Sequence, residues 1–302
     1  MCREVVESLA IQPEGLYVDA TYGRGGHARA ILSHLQARGR LVVMDRDPEA
    51  IAGARHHIAQ DTRVTVCHAP FSRLDETLAA HGIRGDVNGA LFDLGVSSPQ
   101  LDDPARGFSF LREGPLDMRM DAGVGESAAE WIERAREEEL RDTIRELGED
   151  RFAYRIARAI VRARAQAPIR TTGALAAIVS QAVPTREPGR HPATRTFQAI
   201  RMKINRELEE IAQALEKIVR LLAAGGRLVI ISFHSLEDRL VKRFLRRASR
   251  GPEYPPEVPV RAAEQGALLT LIGRARRPSP AEVAANPRAR SAVMRVAERL
   301  GA

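Results

Sequence analysis

Between Gly15 and Leu94, short β-branched runs alternate with stretches of helical periodicity, the pattern of a parallel sheet with helices on its faces. Strands are expected at Gly15–Ala20, Arg40–Asp45, Arg63–Cys67 and Asn88–Leu94. Helices are expected at His27–Ala37, from Asp47-Pro48 to about Ala59, and from near Ser72. Asp47 has the chemistry of an N-cap, and Pro48 suits the first helical position because its missing N–H has no partner to lose there. Ser72 and Asp75 resemble a capping pair, with Asp a weaker partner than Glu.

The pattern changes near Asp102. From there to about Pro192 no convincing strand occurs, only a loop rich in Arg, Gly and Asp followed by helical patterns. Ser127 and Glu130 form a capping box, Phe152–Ala165 carries Phe152, Ile156 and Ile160 on one face, and Thr171 or Thr172 caps a third helix that ends before Pro184. One long helix is expected from Thr194 to Ala223, with apolar residues stepping by three or four, stopped by Gly225-Gly226. Arg227–Phe233, Ala267–Ile272 and Ser291–Val296 complete a set of seven strands, and Gly251–Pro259 and Arg274–Pro287 read as surface loops. This is an α/β domain, residues 1–104 and 195–302, interrupted by a helical insertion at 105–194.

Composition adds a partner class. The 302 residues carry a net charge of +7, which favours a polyanion such as nucleic acid. Cys2 and Cys67 are the only cysteines, the usage of a reducing compartment. With no apolar core for a signal peptide and no run long enough to span a membrane, the expectation is a cytoplasmic protein with no membrane partner. Aromatic residues make up only 4%, so there is no broad stacking platform for single strands and base recognition must be local. Scattered His and Cys show no metal-ligand spacing, and no metal is expected.

Chemistry concentrates at two strand ends. Val18-Asp19-Ala20-Thr21-Tyr22-Gly23-Arg24-Gly25-Gly26-His27-Ala28 runs from a strand through a glycine-rich turn into a helix, as nucleotide sites do. Gly23-x-Gly25-x-x-Ala28 also satisfies the dinucleotide fingerprint, with Asp45 and Asp47 near the ribose-binding distance, so an NAD(P)-dependent oxidoreductase is one reading. Asp19 opposes it, because a carboxylate there repels a pyrophosphate and welcomes an ammonium or sulfonium. S-adenosylmethionine has both. On that reading Gly25, Gly26 and His27 pack against its methionine part and Asp45 accepts the ribose hydroxyls. The alternative is that the glycines only permit a tight turn.

The fourth strand ends in Leu91-Phe92-Asp93-Leu94-Gly95-Val96-Ser97-Ser98-Pro99-Gln100, at the sheet edge where ligands of doubly wound folds bind. An exocyclic base amine is a poor nucleophile until its N–H bonds are accepted and its lone pair is turned toward the electrophile. Asp93, with Ser98 and Pro99 beside it, is the candidate catalytic group for that task. Equally, Ser97-Ser98-Pro99 is only a turn and Asp93 a helix cap.

With these residues in view, the chain closely resembles the bacterial small-subunit ribosomal RNA cytosine-N4 methyltransferases of the MraW or RsmH family. Matching runs include Thr21 to His27, Asp45-Arg46-Asp47-Pro48, Leu94 to Asp102, Arg106-Gly107-Phe108-Ser109-Phe110 and Gly114 to Met120. Others are His191 to Ala199, Ser232 to Arg239 and Asn286 to Ser291, so the likeness spans nearly the whole chain. The resemblance implies a Rossmann-like class I S-adenosylmethionine-dependent methyltransferase with a seven-stranded sheet and an inserted helical substrate-recognition domain. It implies cofactor contacts at Gly25, Gly26, His27, Asp45, Phe71, Asp93 and Gln100. Phe71 would flank the adenine, or else be a core aromatic. The implied substrate is 16S ribosomal RNA, within the small ribosomal subunit or free of it, and the implied enzyme is a monomer or a homodimer.

Two departures stand out. The family's His-x-Pro-Val segment ahead of the first helix has no match, the sequence here being Met1-Cys2-Arg3-Glu4. Of the Asp/Asn/Ser-Pro-Pro-aromatic motif of DNA amino-methyltransferases only Ser98-Pro99 is present, so a flipped cytosine needs another stacking partner, and Phe108 or Phe110 is the expectation. Basic residues cluster at Lys242, Arg243, Arg246, Arg247 and Arg250, along Arg155, Arg158 and Arg162, and at Arg186, Arg190 and Arg195. Each run alone reads as a solvated helix face, and together they read as an RNA surface. His234, just after the fifth strand, is either an RNA contact or a packed turn histidine. A non-enzymatic RNA-binding assembly factor on the same fold is the remaining alternative.

Overall fold

The structure, a computed structural model, describes residues 1–185, 189, 191–251 and 266–301. Arg186, Arg190 and the part of the expected Pro-rich loop at 252–259 lie outside the described residues. Two compact units are present, Met1–Gly95 with Leu208–Ala302, and Val96–Glu207.

The first unit opens with α1 (Cys2–Leu9), β1 (Leu16–Asp19), α2 (Gly26–Leu32), β2 (Arg40–Asp45), α3 (Pro48–His57), β3 (Val64–His68), α4 (Leu74–Ala80) and β4 (Val87–Asp93). The second unit holds α5 (Ser98–Asp102), α6 (Ala128–Arg134), α7 (Glu137–Glu146), α8 (Ala153–Arg164), α9 (Thr172–Ala182) and α10 (Thr194–Asn205). The chain then returns through α11 (Glu207–Leu221), β5 (Leu222–Ser232), α12 (Ser235–Arg250), β6 (Leu269–Leu271), α13 (Pro280–Ala285) and β7 (Val293–Arg299).

The seven strands form one sheet in the order β3-β2-β1-β4-β5-β7-β6. β1 to β5 run parallel, and β7 is antiparallel to both of its neighbours. This is the Rossmann-like, doubly wound sheet with one antiparallel strand that the motifs imply. Strand residues alternate between two apolar layers, as a sheet covered on both faces requires. Val18, Val42, Met44, Phe92 and Ile230 pack with α4, α11 and α12 on one face. Tyr17, Leu41, Val43, Leu91 and Ile231 pack with α1, α2 and α3 on the other. The helical unit has its own core around Trp131, which is fully buried with Ile132, Leu140, Ile156 and Ile160; truncating such a Trp to Ala costs about 3–5 kcal/mol.

Three local expectations need correction. The long helix at 194–223 is two helices, broken where Arg206 takes a left-handed φ of 51°. Arg201 forks onto Glu207 with two contacts of 2.8 Å across that break, which a count of apolar spacing does not register. Because Phe197 and Ile200 of α10 belong to the helical core, the second unit extends beyond the 105–194 span expected for it. Ser72 caps nothing: it sits inside a single 3-10 turn, Phe71–Arg73, ahead of α4, and Asp75 accepts instead from Lys217 at 2.8 Å. Asp47 does cap α3, its Oδ1 accepting from the Glu49 N–H at 3.0 Å, and the Ser127–Glu130 box opens α6.

Candidate active site

Strand register places three carboxylates together. Asp19 at the end of β1 pairs with Val43 of β2 and Leu91 of β4. Asp45 and Asp93 each lie two residues beyond those partners, so all three side chains project on the same face of the sheet, toward α1 and α2. β1 and β4 flank the position where the strand order reverses, the crevice in which ligands of open α/β sheets bind.

Asp19 is fully buried. Its Oδ1 accepts from the Thr21 N–H at 3.1 Å, while Oδ2 is buried without a partner. Burial pushes this carboxyl up to about 7, against the pull of His27 and the Thr21 N–H. Asp45 is oriented from both sides, with Oδ2 accepting from the Gly23 N–H at 2.8 Å and Oδ1 from the Asp47 N–H at 2.9 Å. Burial raises it to about 6 even so. In both cases the low-dielectric surroundings disfavour the charge more than the backbone donors support it.

His27, in the first turn of α2, places Nε2 3.5 Å from Asp93 Oδ2. Burial alone would lower its pKa, but the hydrogen bond to Asp93 and the interaction with Cys2 outweigh it and carry the imidazolium up to about 10. Asp93 Oδ1 is buried with no partner, and its backbone N–H donates to Thr21 Oγ1 at 2.6 Å. Thr21 thus serves both neighbouring carboxylates, its N–H binding Asp19 and its hydroxyl fixing the Asp93 peptide. In the sequence Thr21 stands out only as part of the glycine-rich motif, just past a strand end.

The glycines divide by role. Gly25 adopts a φ of +71° directly over Tyr22, where any Cβ would collide with the phenol ring, so the turn itself requires glycine there. At Gly26 an added Cβ meets nothing within 4 Å. Gly26 is exposed, and the unpartnered oxygens of Asp19 and Asp93 on the strand-end face oppose a pyrophosphate.

The remaining expected residues are placed as follows. Phe71 is partly buried, with its ring edge-to-face on Phe92 at 5.9 Å. Gln100 belongs to the second unit, where its Oε1 accepts from the Ser97 N–H at 2.9 Å in a capping box that opens α5, with Ser98 and Pro99 forming the first turn. Phe108 is buried at 6% exposure under Arg106, so it offers no open ring face in this conformation. Phe110 sits between His191 and Phe197 at 4.6 and 4.8 Å. Arg195 donates to the Glu149 carbonyl at 3.1 Å. The motif Gly114 to Met120 is tied down by Asn205, which accepts from Met120 N–H at 2.8 Å and donates to the Met118 carbonyl at 2.7 Å.

His234 is the N-cap of α12. Its Nδ1 accepts from the Glu237 N–H at 3.4 Å and its Nε2 lies 3.0 Å from Glu237 Oε1, while Glu237 Oε2 accepts from the Phe233 N–H at 2.8 Å. This is the geometry of a packed turn histidine. Along α12, Lys242, Arg243, Arg246, Arg247 and Arg250 are exposed, with Arg247 paired to Glu216. No helix among the described residues is long and apolar enough to cross a membrane.

Residues 1–300 match the family described as the MraW methylase family. A ribosomal RNA small subunit methyltransferase H of Azoarcus is 58% identical over 302 residues, covering 100% of this chain and 96% of the relative. That of Halorhodospira halophila is 59% identical over 294 residues, covering 97% of this chain and 91% of its own. Among solved structures, an rRNA methylase from Streptococcus thermophilus aligns over 99% of this chain and 94% of that one, at 12% identity and a TM-score of 0.45.

Proposed function

The chain belongs to the MraW methylase family, and from that premise we propose that it methylates the N4 amine of a cytidine in small-subunit (16S) ribosomal RNA, in the cytoplasm, with S-adenosylmethionine as donor. Membership in a family of S-adenosylmethionine-dependent methyltransferases removes the NAD(P)-dependent alternative. The observation that carries the reading is the set of three carboxylates on one strand-end face, two of them with unpartnered buried oxygens.

In this reading Asp19 receives the cofactor's ammonium, Asp45 its ribose hydroxyls, and Gly25, Gly26 and His27 the methionine part, with Phe71 and Gln100 as further contacts. When bound, the cofactor supplies an electrophilic methyl group on a positively charged sulfur. Asp93 holds His27 and keeps Oδ1 as an acceptor for an N–H bond, whether on the cofactor or on the cytosine amine. An acceptor at that amine withdraws its lone pair from the ring and turns it toward the methyl. The amine's proton leaves to solvent or to a carboxylate after transfer, so no covalent enzyme intermediate is needed. Support for an RNA substrate comes from the names of the 58–59% identical relatives, the +7 charge and the exposed basic stripe of α12.

The test is transfer of a labelled methyl group from the cofactor to small subunits, or to their naked RNA, prepared from cells lacking the enzyme. Digestion to nucleosides is expected to place the label on N4-methylcytidine. Label on another nucleoside overturns the specificity, and RNA binding without any transfer leaves the assembly-factor alternative.

A further inference from the structure

A base that gives up its amine proton outside a stack needs a flat surface to lie on, and an aromatic ring supplies one. Phe108 is buried and Phe110 lies between His191 and Phe197, so the helical unit encloses both of the rings expected for that task. In the first unit Tyr17, Tyr22, Phe92 and Phe244 are buried, and Phe71 packs with Phe92 on the opposite face of the sheet from the three carboxylates. Among the described Phe, Tyr and Trp rings of that unit, only Phe233 is both partly exposed and on the carboxylate face.

Register fixes its place. Ile231 of β5 pairs with Asp93 of β4, so Phe233, two residues further on, projects to the same side as Asp93. β5 neighbours β4 on the side away from β1 and β2. With strands about 4.8 Å apart, the ring stands one strand from Asp93 and two strands, about 10 Å, from Asp19. It therefore faces what Asp93 accepts from, beyond the strand ends that carry Asp19 and Asp45. Beside it Gly95 has a φ of +91°, and an added Cβ there would lie 3.7 Å from Phe233 Cδ2, so a side chain at this position would cover a flank that glycine leaves bare. Glu237 holds the turn: it is fully buried, and its Oε2 accepts from the Phe233 N–H at 2.8 Å and from the His234 N–H at 3.3 Å. A carboxylate taken out of water is costly unless its oxygens are hydrogen-bonded, and here those bonds fix the peptide that carries the ring.

We propose that Phe233 is the stacking platform for the acceptor base: an unstacked base of the RNA, a pyrimidine on the N4 reading, lies against the Phe233 ring with its exocyclic amine directed at Asp93 Oδ1, which is buried without a partner. The inference rests on the base-methylation reading above and adds to it the residue that receives the base. Stacking tolerates any base, because every base has a π-face, so Phe233 supplies affinity and orientation while Asp93 selects the amine.

The test is steady-state methyl transfer to small subunits, or to their naked RNA, from cells lacking the enzyme, with binding of S-adenosylhomocysteine measured beside it by calorimetry. Phe233→Leu keeps an apolar side chain in the turn; it is expected to bind S-adenosylhomocysteine as wild type does and to lose about 10-fold or more in kcat/KM for the RNA. Phe233→Tyr, which restores a ring, is expected to recover most of that loss. A Leu variant as active as wild type, or a Tyr variant as impaired as the Leu variant, overturns the platform. A second readout does not depend on turnover. With saturating S-adenosylhomocysteine, the emission of Phe233→Trp protein is expected to be quenched by small-subunit RNA, while that of wild type, which comes from the fully buried Trp131 alone, stays constant. Emission that stays unchanged while filter retention shows the RNA bound overturns the platform even where Phe233→Leu fails to fold. Wild-type protein that labels a nucleoside other than cytidine overturns the N4 reading alone, since the contrast between Leu and Tyr and the quenching are read for whichever base is bound.

Discussion

Nε2 of His27, in the first turn of α2, stands 3.5 Å from Oδ2 of Asp93, at the end of β4, and this pairing keeps an imidazolium charged inside a largely buried setting. Removing the carboxylate leaves burial as the dominant influence, and burial favours the neutral ring. Asp93→Asn is therefore expected to bring the His27 titration down from about 10 to near or below its ordinary 6.5, read by long-range nitrogen NMR of the ring. A titration that stays near 10 assigns the stabilisation to Asp19 or Cys2 instead. The same pairing has a stability signature. With a folded pKa above the unfolded one, His27 stabilises the fold fully below about 6.5, and that contribution is lost as the pH rises through about 10.

Asp19 and Asp45 have the opposite consequence. Their folded pKa values of about 7 and about 6 lie above the ordinary carboxylate value of 3.8, so the ligand-free fold binds more protons than the unfolded chain between those values. Its stability falls as the pH rises from about 4 to about 7. An ammonium ligand requires the ionised form of Asp19. Affinity for S-adenosylhomocysteine, measured by calorimetry, is expected to rise up to about tenfold per pH unit below pH 7 and to level off as the ligand's own amine titrates near pH 8. Asp19→Asn is expected to abolish that slope, weaken binding at least 10-fold, and raise the Tm of the free protein above pH 7. A slope that persists in the variant assigns the proton to Asp45.

Gly25 and Gly26 are adjacent in sequence and differ in what an added methyl would meet. Gly25→Ala forces an L-residue into a φ of +71° and a collision with Tyr22. The conformational part alone costs about 1–2 kcal/mol, and the Tm is expected to fall by several degrees. Gly26→Ala meets no protein atom, so its Tm is expected to match wild type within about 1 °C while affinity for S-adenosylhomocysteine drops at least 10-fold. Unchanged affinity in Gly26→Ala would remove Gly26 from the cofactor site.

Much of this arrangement is legible in the chain because its determinants are local. The Asp47-Pro48 cap, the Ser127–Glu130 box and the alternation of Tyr17, Val18 and Asp19 each depend on a few adjacent residues, and each is found where the pattern places it. The break at Arg206 is invisible because the step of three or four apolar residues continues through it, and what fixes the bend is the Arg201–Glu207 fork and a single left-handed residue. Ser72 has the right spacing for a cap, yet a 3-10 turn and Lys217, far along the chain, decide otherwise. Phe108 illustrates the same limit: an aromatic in a loop-like motif reads as available, and Arg106, Met118 and Asn205 fold that loop inward until the ring is buried. Cys2 and His27 meet only because α1 packs on α2.

The basic stripe of α12 makes a graded prediction for RNA binding. Lys242, Arg243, Arg246, Arg247 and Arg250 are all exposed, but Arg247 is already paired with Glu216 and lies 5.7 Å over the Phe244 ring. A cation engaged by a carboxylate releases fewer counterions when it meets a phosphate, so Arg246 is expected to contribute more to RNA affinity than Arg247. Affinity for small-subunit RNA should fall steeply as salt rises, and Arg246→Glu should reduce the slope of log affinity against log salt by about one. Arg247→Glu should reduce it less, and Glu216→Gln, which frees Arg247, should steepen it. Filter binding at several salt concentrations reads all three. A salt-independent affinity, or equal effects of Arg246→Glu and an acidic substitution on the opposite face of the sheet, would show that α12 is a solvated helix face and that the RNA is held elsewhere.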